Sequence, residues 1–82
     1  MSSVPTLSIV EERVREALIE FGAEADQITR DATWEELDID SLDLVELSQI
    51  AEEEFAVVLK TDDIKSINTV GQAVDFIVAR IE

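Results

Sequence analysis

Apolar side chains recur at three- and four-residue steps in three segments of the chain, and this spacing constrains the fold more than any other feature. Such a period places them on one face of an α-helix, whereas a half-buried strand would require alternation. No segment shows that alternation, because the apolar run from Ala56 to Leu59 is too short. In the first segment the recurring residues are Val10, Val14, Ala17, Leu18 and Phe21.

The boundaries of these helices are marked by local signals. Ser8 and Glu11 have capping-box spacing, and Gly22 suits the C′ position that ends the first helix. The second helical pattern starts near Ser41 and runs to Phe55.

Two further helices are predicted near the C-terminus. Thr61, followed by Asp62 and Asp63, predicts one short helix through about Ser66, because acidic side chains suit the positive end of a helix. Thr69 and Gln72 have capping-box spacing and open the last helix. The fold class is therefore all-α, a small four-helix bundle with three main helices and one short helix between the second and the last. We expect residues 1–82 to form one domain, with residues 1–6 as a flexible lead-in.

The connection from Gly22 to Asp40 is longer than most loops in helical bundles. It carries Ile28, Trp34, Leu37 and Ile39, which predicts an ordered segment anchored across the open end of the bundle.

Composition excludes several kinds of chemistry. The 82 residues include no Cys and no His, so the chain has no disulfide, no thiolate or imidazole metal ligand and no Ser-His pair. We therefore expect a protein that is not an enzyme. No secretory signal or membrane-spanning segment is recognisable, which favours a cytoplasmic protein. We also expect a monomer. A net charge of -14 disfavours nucleic acid and membrane insertion and favours partners with basic surfaces.

The second helix is predicted to have two faces. Leu44, Leu47, Ala51 and Phe55 share one sector and form the core side, whereas Leu42 and Val45 lie opposite them among acidic residues. Isolated exposed apolar residues are common, so this side is either a solvated face or a docking surface. Charge placement favours docking, because the ten acidic residues between Asp31 and Glu54 have no Lys or Arg among them.

Ser41 stands where the long connection meets this helix. Asp40 or Ser41 could cap the helix, since both residue types accept hydrogen bonds from its first amides. An accessible hydroxyl at the positive end of a helix is also a good place to attach a phosphate group. With no His in the chain, another enzyme would have to perform that attachment.

The segment from Leu37 to Leu47, with Asp40-Ser41-Leu42 at its centre, followed by Glu52-Glu53-Glu54-Phe55, resembles the acyl carrier protein family. The resemblance extends over nearly the whole chain. It implies that Ser41 receives 4′-phosphopantetheine from coenzyme A through a phosphopantetheinyl transferase, and that the arm's thiol carries acyl groups as thioesters in fatty acid or polyketide biosynthesis.

The resemblance also implies partners and a cargo pocket. Acyl and ketoacyl synthases, reductases and acyltransferases would bind, through basic surfaces, to a docking face formed by Asp40, Leu42, Asp43, Val45, Glu46, Glu52 and Glu53. The acyl pocket would be lined by Ala51, Leu59, Ile64 and Ile67. Asp38 replaces a glycine often found in the family.

The acidity of the chain is also compatible with other classes of protein. Asp38-Ile39-Asp40 begins like a calcium-binding EF-hand loop, but Leu42, Asp43 and Gln49 occupy positions that need an oxygen ligand, a glycine and a glutamate. We therefore expect no dedicated metal site. An acidic helical adaptor without a prosthetic group, and a peptidyl or D-alanyl carrier, remain alternatives.

Repulsion within the acidic stretch predicts a response to salt. Because cations screen or neutralise clustered carboxylates, the melting temperature should rise with millimolar Mg²⁺ or with ionic strength. Differential scanning calorimetry measures this rise, and a flat response would mean that the carboxylates are compensated within the fold.

Overall fold

Residues 6–81 are described by a computed structural model of the chain, and within them four α-helices surround one core. A 3-10 helix, Ala25–Gln27, interrupts the first connection, and the only β-bridge among the described residues is an isolated one between Thr33 and Thr69. The predicted all-α bundle is confirmed. The helices are α1 (Thr6–Glu20), α2 (Ser41–Phe55), α3 (Thr61–Ser66) and α4 (Val70–Ile81).

The core joins the long helices to the first connection. Leu18 of α1 and Val74 of α4 are completely buried, and Leu47 and Ala51 of α2 pack into the same cluster. As predicted, the connection is ordered and contributes buried anchors. They are Ile28, Trp34, Leu37 and Ile39.

Helix α1 begins earlier and ends where the sequence predicts. Because α1 starts at Thr6, Ser8 lies within its first turn rather than at its N-cap. Thr6 was predicted as the last residue of the lead-in, and residues 1–5 lie outside the described part. An exposed first turn can satisfy its amides with water, so the helix does not require a cap at Ser8. Gly22 has a φ of 112°, and the Gly22 and Ala23 amides donate to the carbonyls of Ile19 and Leu18, which is the Schellman pattern.

The first connection, between α1 and α2, also accepts hydrogen bonds from the first amides of α4. The amide of Val70 donates to the Ala32 carbonyl, and the amide of Gly71 donates to the Arg30 carbonyl at 2.9 Å. A Cβ atom on residue 71 would lie 2.9 Å from that same Arg30 oxygen, so glycine permits the close approach of the two backbones.

Side-chain hydrogen bonds cap the first turns of the last two helices. The carboxylate of Asp63 accepts from the Lys60 amide at the start of α3. At α4, the Thr69 hydroxyl accepts from the Gln72 amide, as its spacing predicts. The Gln72 side chain reaches one residue further back than in a standard capping box and accepts from the Asn68 amide.

A single helix-like turn, residues 33–38, precedes α2. It begins with a reciprocal cap. The Glu36 carboxylate accepts a hydrogen bond from the Thr33 amide, and the Thr33 hydroxyl accepts one from the Glu36 amide. It ends with Asp38 at a φ of 58°, while the amides of Asp38 and Ile39 donate to the carbonyls of Glu35 and Trp34. These two bonds are again the Schellman pattern, and they explain why glycine is favoured at position 38: the residue must adopt the left-handed conformation.

Asp38 therefore predicts a measurable difference between two substitutions that remove the same charge. Asparagine tolerates the left-handed conformation, whereas valine, with its branched Cβ, does not. Asp38→Val should lower the free energy of unfolding by about 1–2 kcal/mol relative to Asp38→Asn. Urea denaturation of both variants checks this, and equal stabilities would contradict the role given to backbone conformation.

Candidate functional site

Ser41 is the first residue of α2, and its side chain is exposed. The cap of α2 is supplied by Asp40, whose Oδ1 accepts from the Asp43 amide at 3.0 Å, while Asp43 Oδ2 accepts from the Asp40 amide at 3.4 Å. This reciprocal pair resolves the two capping possibilities that the sequence leaves open. Within residues 6–81 the Ser41 hydroxyl makes no hydrogen bond, so it is not required for the fold.

The surroundings of Ser41 are suited to a phosphate ester. Asp43 gives its amide to Asp40, but the amides of Ser41 and Leu42 have no acceptor among the described residues and lie at the positive end of a 15-residue helix. Such amides stabilise a phosphate group bonded to the adjacent hydroxyl. The carboxylates of Asp38 and Asp40 are close in sequence and oppose this effect, because they repel a negatively charged group.

Nothing in this arrangement activates the hydroxyl. The chain has no His or Cys, and the carboxylates of Asp40 and Asp43 already accept backbone amides. Ser41 is therefore an ordinary alcohol within this chain, and any transfer to it requires a base supplied by another protein.

The docking face predicted from the sequence is exposed apart from one member. Leu42 is 73% exposed and Val45 is 45% exposed, and they lie among the exposed carboxylates of Asp40, Glu46, Glu52 and Glu53. Asp43 is only half-buried, in keeping with its part in the helix cap. Among residues 6–81, no Lys or Arg forms an ion pair with any acid of this face.

Arg13, Arg30 and Arg80 pair with acids outside the docking face, whereas Arg15 donates to the backbone carbonyls of Ala25 and Ile28. Arg13 of α1 holds both carboxylate oxygens of Glu54 through its Nε, at 2.8 and 2.9 Å. This hydrogen bonding lowers the pKa of Glu54 below its usual value. Arg30 bridges Glu11 and Asp75, at 3.3 and 2.7 Å. Among the described residues, the acidic stretch from Asp31 to Glu54 therefore has one ion pair with a cation, the pair of Glu54 with Arg13 of α1.

An apolar pocket lies beneath α3. Three of the four residues predicted to line an acyl pocket, Leu59, Ile64 and Ile67, form its wall, but Ala51 does not, being 1% exposed within the core. The free volume is only about 10 Å³, close to the minimum that one water requires.

The sequence did not predict the other five of the eight residues in this wall. Apolar periodicity places a residue on the inner face of a helix, but it does not distinguish a core contact from a pocket wall. The five residues are Trp34, Leu44, Leu47, Ala73 and Ile77.

Two kinds of feature are absent from the described part of the chain. No helix in the described part of the chain is long and apolar enough to cross a membrane. Across residues 6–81, no three acidic side chains converge in an arrangement that would hold a metal ion.

Comparison with known families agrees with this geometry. The family model described as "Phosphopantetheine attachment site" matches residues 12–77, a range that includes Ser41, all of α2 and the pocket wall. Proteins of this family carry 4′-phosphopantetheine covalently, act as carriers rather than as enzymes, and interact with a phosphopantetheinyl transferase and with partner enzymes. The chain belongs to the phosphopantetheine-attachment family, the family of the acyl carrier proteins that its sequence resembles.

Proposed function

We propose that Ser41 is the attachment residue for 4′-phosphopantetheine and that the protein delivers acyl thioesters to enzymes of fatty acid or polyketide biosynthesis. One observation carries this proposal: Ser41 opens α2 with an exposed hydroxyl that makes no hydrogen bond within residues 6–81, because Asp40 and Asp43 cap the helix. A serine needed only for capping would have its oxygen bonded to an amide of the first turn.

This chain has a limited role in the attachment step. The Ser41 oxygen bonds to the phosphorus that bears the pantetheine arm in coenzyme A, the pyrophosphate bond breaks, and the adenosine bisphosphate half leaves. The hydroxyl proton passes to a base on the transferase, since the chain has no His and the carboxylates of Asp40 and Asp43 already accept backbone amides. The attached arm supplies a terminal thiol, which this Cys-free chain otherwise lacks.

The docking face supports delivery to partner enzymes. Leu42 and Val45 provide apolar contact area, and the surrounding carboxylates attract a basic surface and orient it. Because no cation of the described residues pairs with these carboxylates, a partner's Lys and Arg side chains meet them without first displacing an internal pair. The exposed Ser41 adjoins this face at the first turn of the helix.

The attachment residue is tested by intact-mass spectrometry after incubation with coenzyme A, Mg²⁺ and a broad-specificity phosphopantetheinyl transferase. The wild-type chain should gain the mass of one phosphopantetheine group, and Ser41→Ala should gain nothing. Because the Asp40–Asp43 cap remains and alanine is a good helix former, Ser41→Ala should change the free energy of unfolding by no more than about 0.5 kcal/mol.

Ser48 offers a matched control on the same helix. Its hydroxyl donates to the Val45 carbonyl, so Ser48→Ala removes a hydroxyl of α2 without touching the proposed site. This variant should be modified like the wild type. If the wild type gains no mass, or if Ser41→Ala gains as much, the carrier proposal fails and the acidic adaptor without a prosthetic group becomes the better account.

Charge reversal tests the docking face. Glu46→Lys places a cation at the centre of the face and should reduce kcat/KM of phosphopantetheinylation on the order of tenfold at low salt. Glu12→Lys makes the same change of charge at an exposed position of α1 and should have a much smaller effect. Steady-state kinetics at two ionic strengths measure both. Equal losses in the two variants would show that only net charge matters and that the face is not specific.

A further inference from the structure

The positive charge of this chain is divided between two kinds of side chain with different surroundings. All four arginines have partners within the fold: three pair with carboxylates, and Arg15 donates to backbone carbonyls. The only two lysines of the sequence lie at α3, where Lys60 precedes the first turn and Lys65 lies in the last turn. Both are exposed, and within residues 6–81 neither lysine side chain forms an ion pair. The arginines thus stabilise the fold, whereas the lysines remain available to a partner.

The two lysines border the docking face, because α3 lies beside α2. Leu44 of α2 and Ile64 of α3 line the same apolar wall, so the outer surfaces of the two helices adjoin. An interface of ordinary size covers about 800 Å² on each partner, about one-sixth of the 5165 Å² that the chain exposes. A 15-residue helix is only about 22 Å long. An enzyme seated on α2 over Ser41 therefore extends onto an adjacent element, and α3 is such an element.

Charge changes abruptly between these two helices. Residues 31–54, which include nearly all of α2, have ten acids and no cation, whereas residues 55–81 have three acids and three cations. One of the three later acids, Asp63, faces Arg80 at 3.9 Å. A partner that spans both helices thus meets a strongly negative surface on one side and two lysines on the other.

This contrast selects the charge pattern of the partner's surface. Basic side chains of the partner are attracted to the carboxylates of α2, but over α3 they would be repelled by Lys60 and Lys65. Acidic side chains at that second position would instead form pairs with the lysines. Attraction at both positions, and repulsion when the partner is rotated about Ser41, would fix the orientation in which the two proteins meet.

We infer that Lys60 and Lys65 extend the docking face with a part of opposite charge, and that the phosphopantetheinyl transferase has acidic side chains beside its basic patch, facing α3. The inference rests on the proposed attachment at Ser41 and adds to it the charge pattern of the enzyme's surface. It applies to the transferase because an enzyme that modifies the first residue of α2 must cover that end of the helix. Leu44, which adjoins α3, lies within one turn of that residue.

The sign of a kinetic effect tests this inference. Lys65→Gln makes the chain more acidic, so attraction between net charges alone predicts faster modification by an enzyme with a basic patch. Loss of a pair with the enzyme predicts the opposite: kcat/KM of phosphopantetheinylation should fall about two- to fivefold at low salt. The enzyme used is the transferase from the cells that make this chain, and intact mass confirms that it modifies the wild type.

Two variants serve as controls. Gln27→Glu changes the net charge by the same amount at an exposed position of the first connection, and its kcat/KM should equal or slightly exceed that of the wild type. Lys65→Arg keeps the positive charge and should keep the wild-type rate, which separates the loss of a charge from a change in α3. A Lys65→Gln variant that is modified as fast as Gln27→Glu, or faster, would overturn the inference.

Zero-length cross-linking gives a structural readout of the same pairs. A carbodiimide joins a lysine amine to a carboxylate in contact with it, and peptide mapping identifies the two residues. Amide links from Lys60 or Lys65 to Asp or Glu of the transferase are expected, and their absence from the cross-linked complex would contradict the inference. A wild type that gains no phosphopantetheine is a different result: it contradicts the attachment at Ser41 and is seen in the mass spectrum before any kinetic comparison.

Discussion

The reciprocal hydrogen bonds between Asp40 and Asp43 determine what the Ser41 hydroxyl is free to do. Because the cap is placed one residue before the serine, α2 begins stably while its first side chain stays exposed and uncommitted. The turn of residues 33–38 brings the backbone to this point, with the buried Ile39 holding the chain against the core just ahead of the cap. The turn before α2 and the Asp40–Asp43 cap thus leave the Ser41 hydroxyl accessible at the positive end of the helix. Attachment by a separate transferase requires such an accessible hydroxyl.

The distribution of charge shows what this arrangement costs. The acids of the docking face repel one another, and no cation of residues 6–81 pairs with them. The arginines instead join distant parts of the chain: Arg13 joins α1 to the end of α2, and Arg30 joins the first connection to α1 and α4. These pairs are largely exposed and contribute little each, so the core and the backbone bonds between the first connection and α4 carry most of the stability. In this account the docking face is retained for a partner, at some expense of stability.

Local signals predicted much of this structure, since helix periodicity, the Gly22 stop and the Thr69 cap are encoded within a few residues of where they act. The bounds of α2 and α3 agree with the sequence for the same reason. What the sequence did not reveal depends on contacts across the fold. The bond from Trp34 to Ile67 spans 33 residues, and the pair of Arg13 and Glu54 spans 41. The cap between Thr33 and Glu36 has the same spacing as the one at Thr69, but it was missed because no apolar periodicity follows it within a single turn. For Ser41, its place at the start of a helix and the family resemblance indicated the position, whereas the observed cap accounts for a hydroxyl that makes no hydrogen bond within residues 6–81.

The central claim is that Ser41, and no other hydroxyl of the chain, carries the prosthetic group. Peptide-level mass spectrometry of the protein purified from the cells that make it tests this most directly, since it reads both the modification and its position. The account predicts a phosphopantetheine group on the peptide that contains Ser41, together with any acyl cargo on its thiol. An unmodified Ser41 with the group on another serine or threonine, or a chain that is never modified, would contradict it.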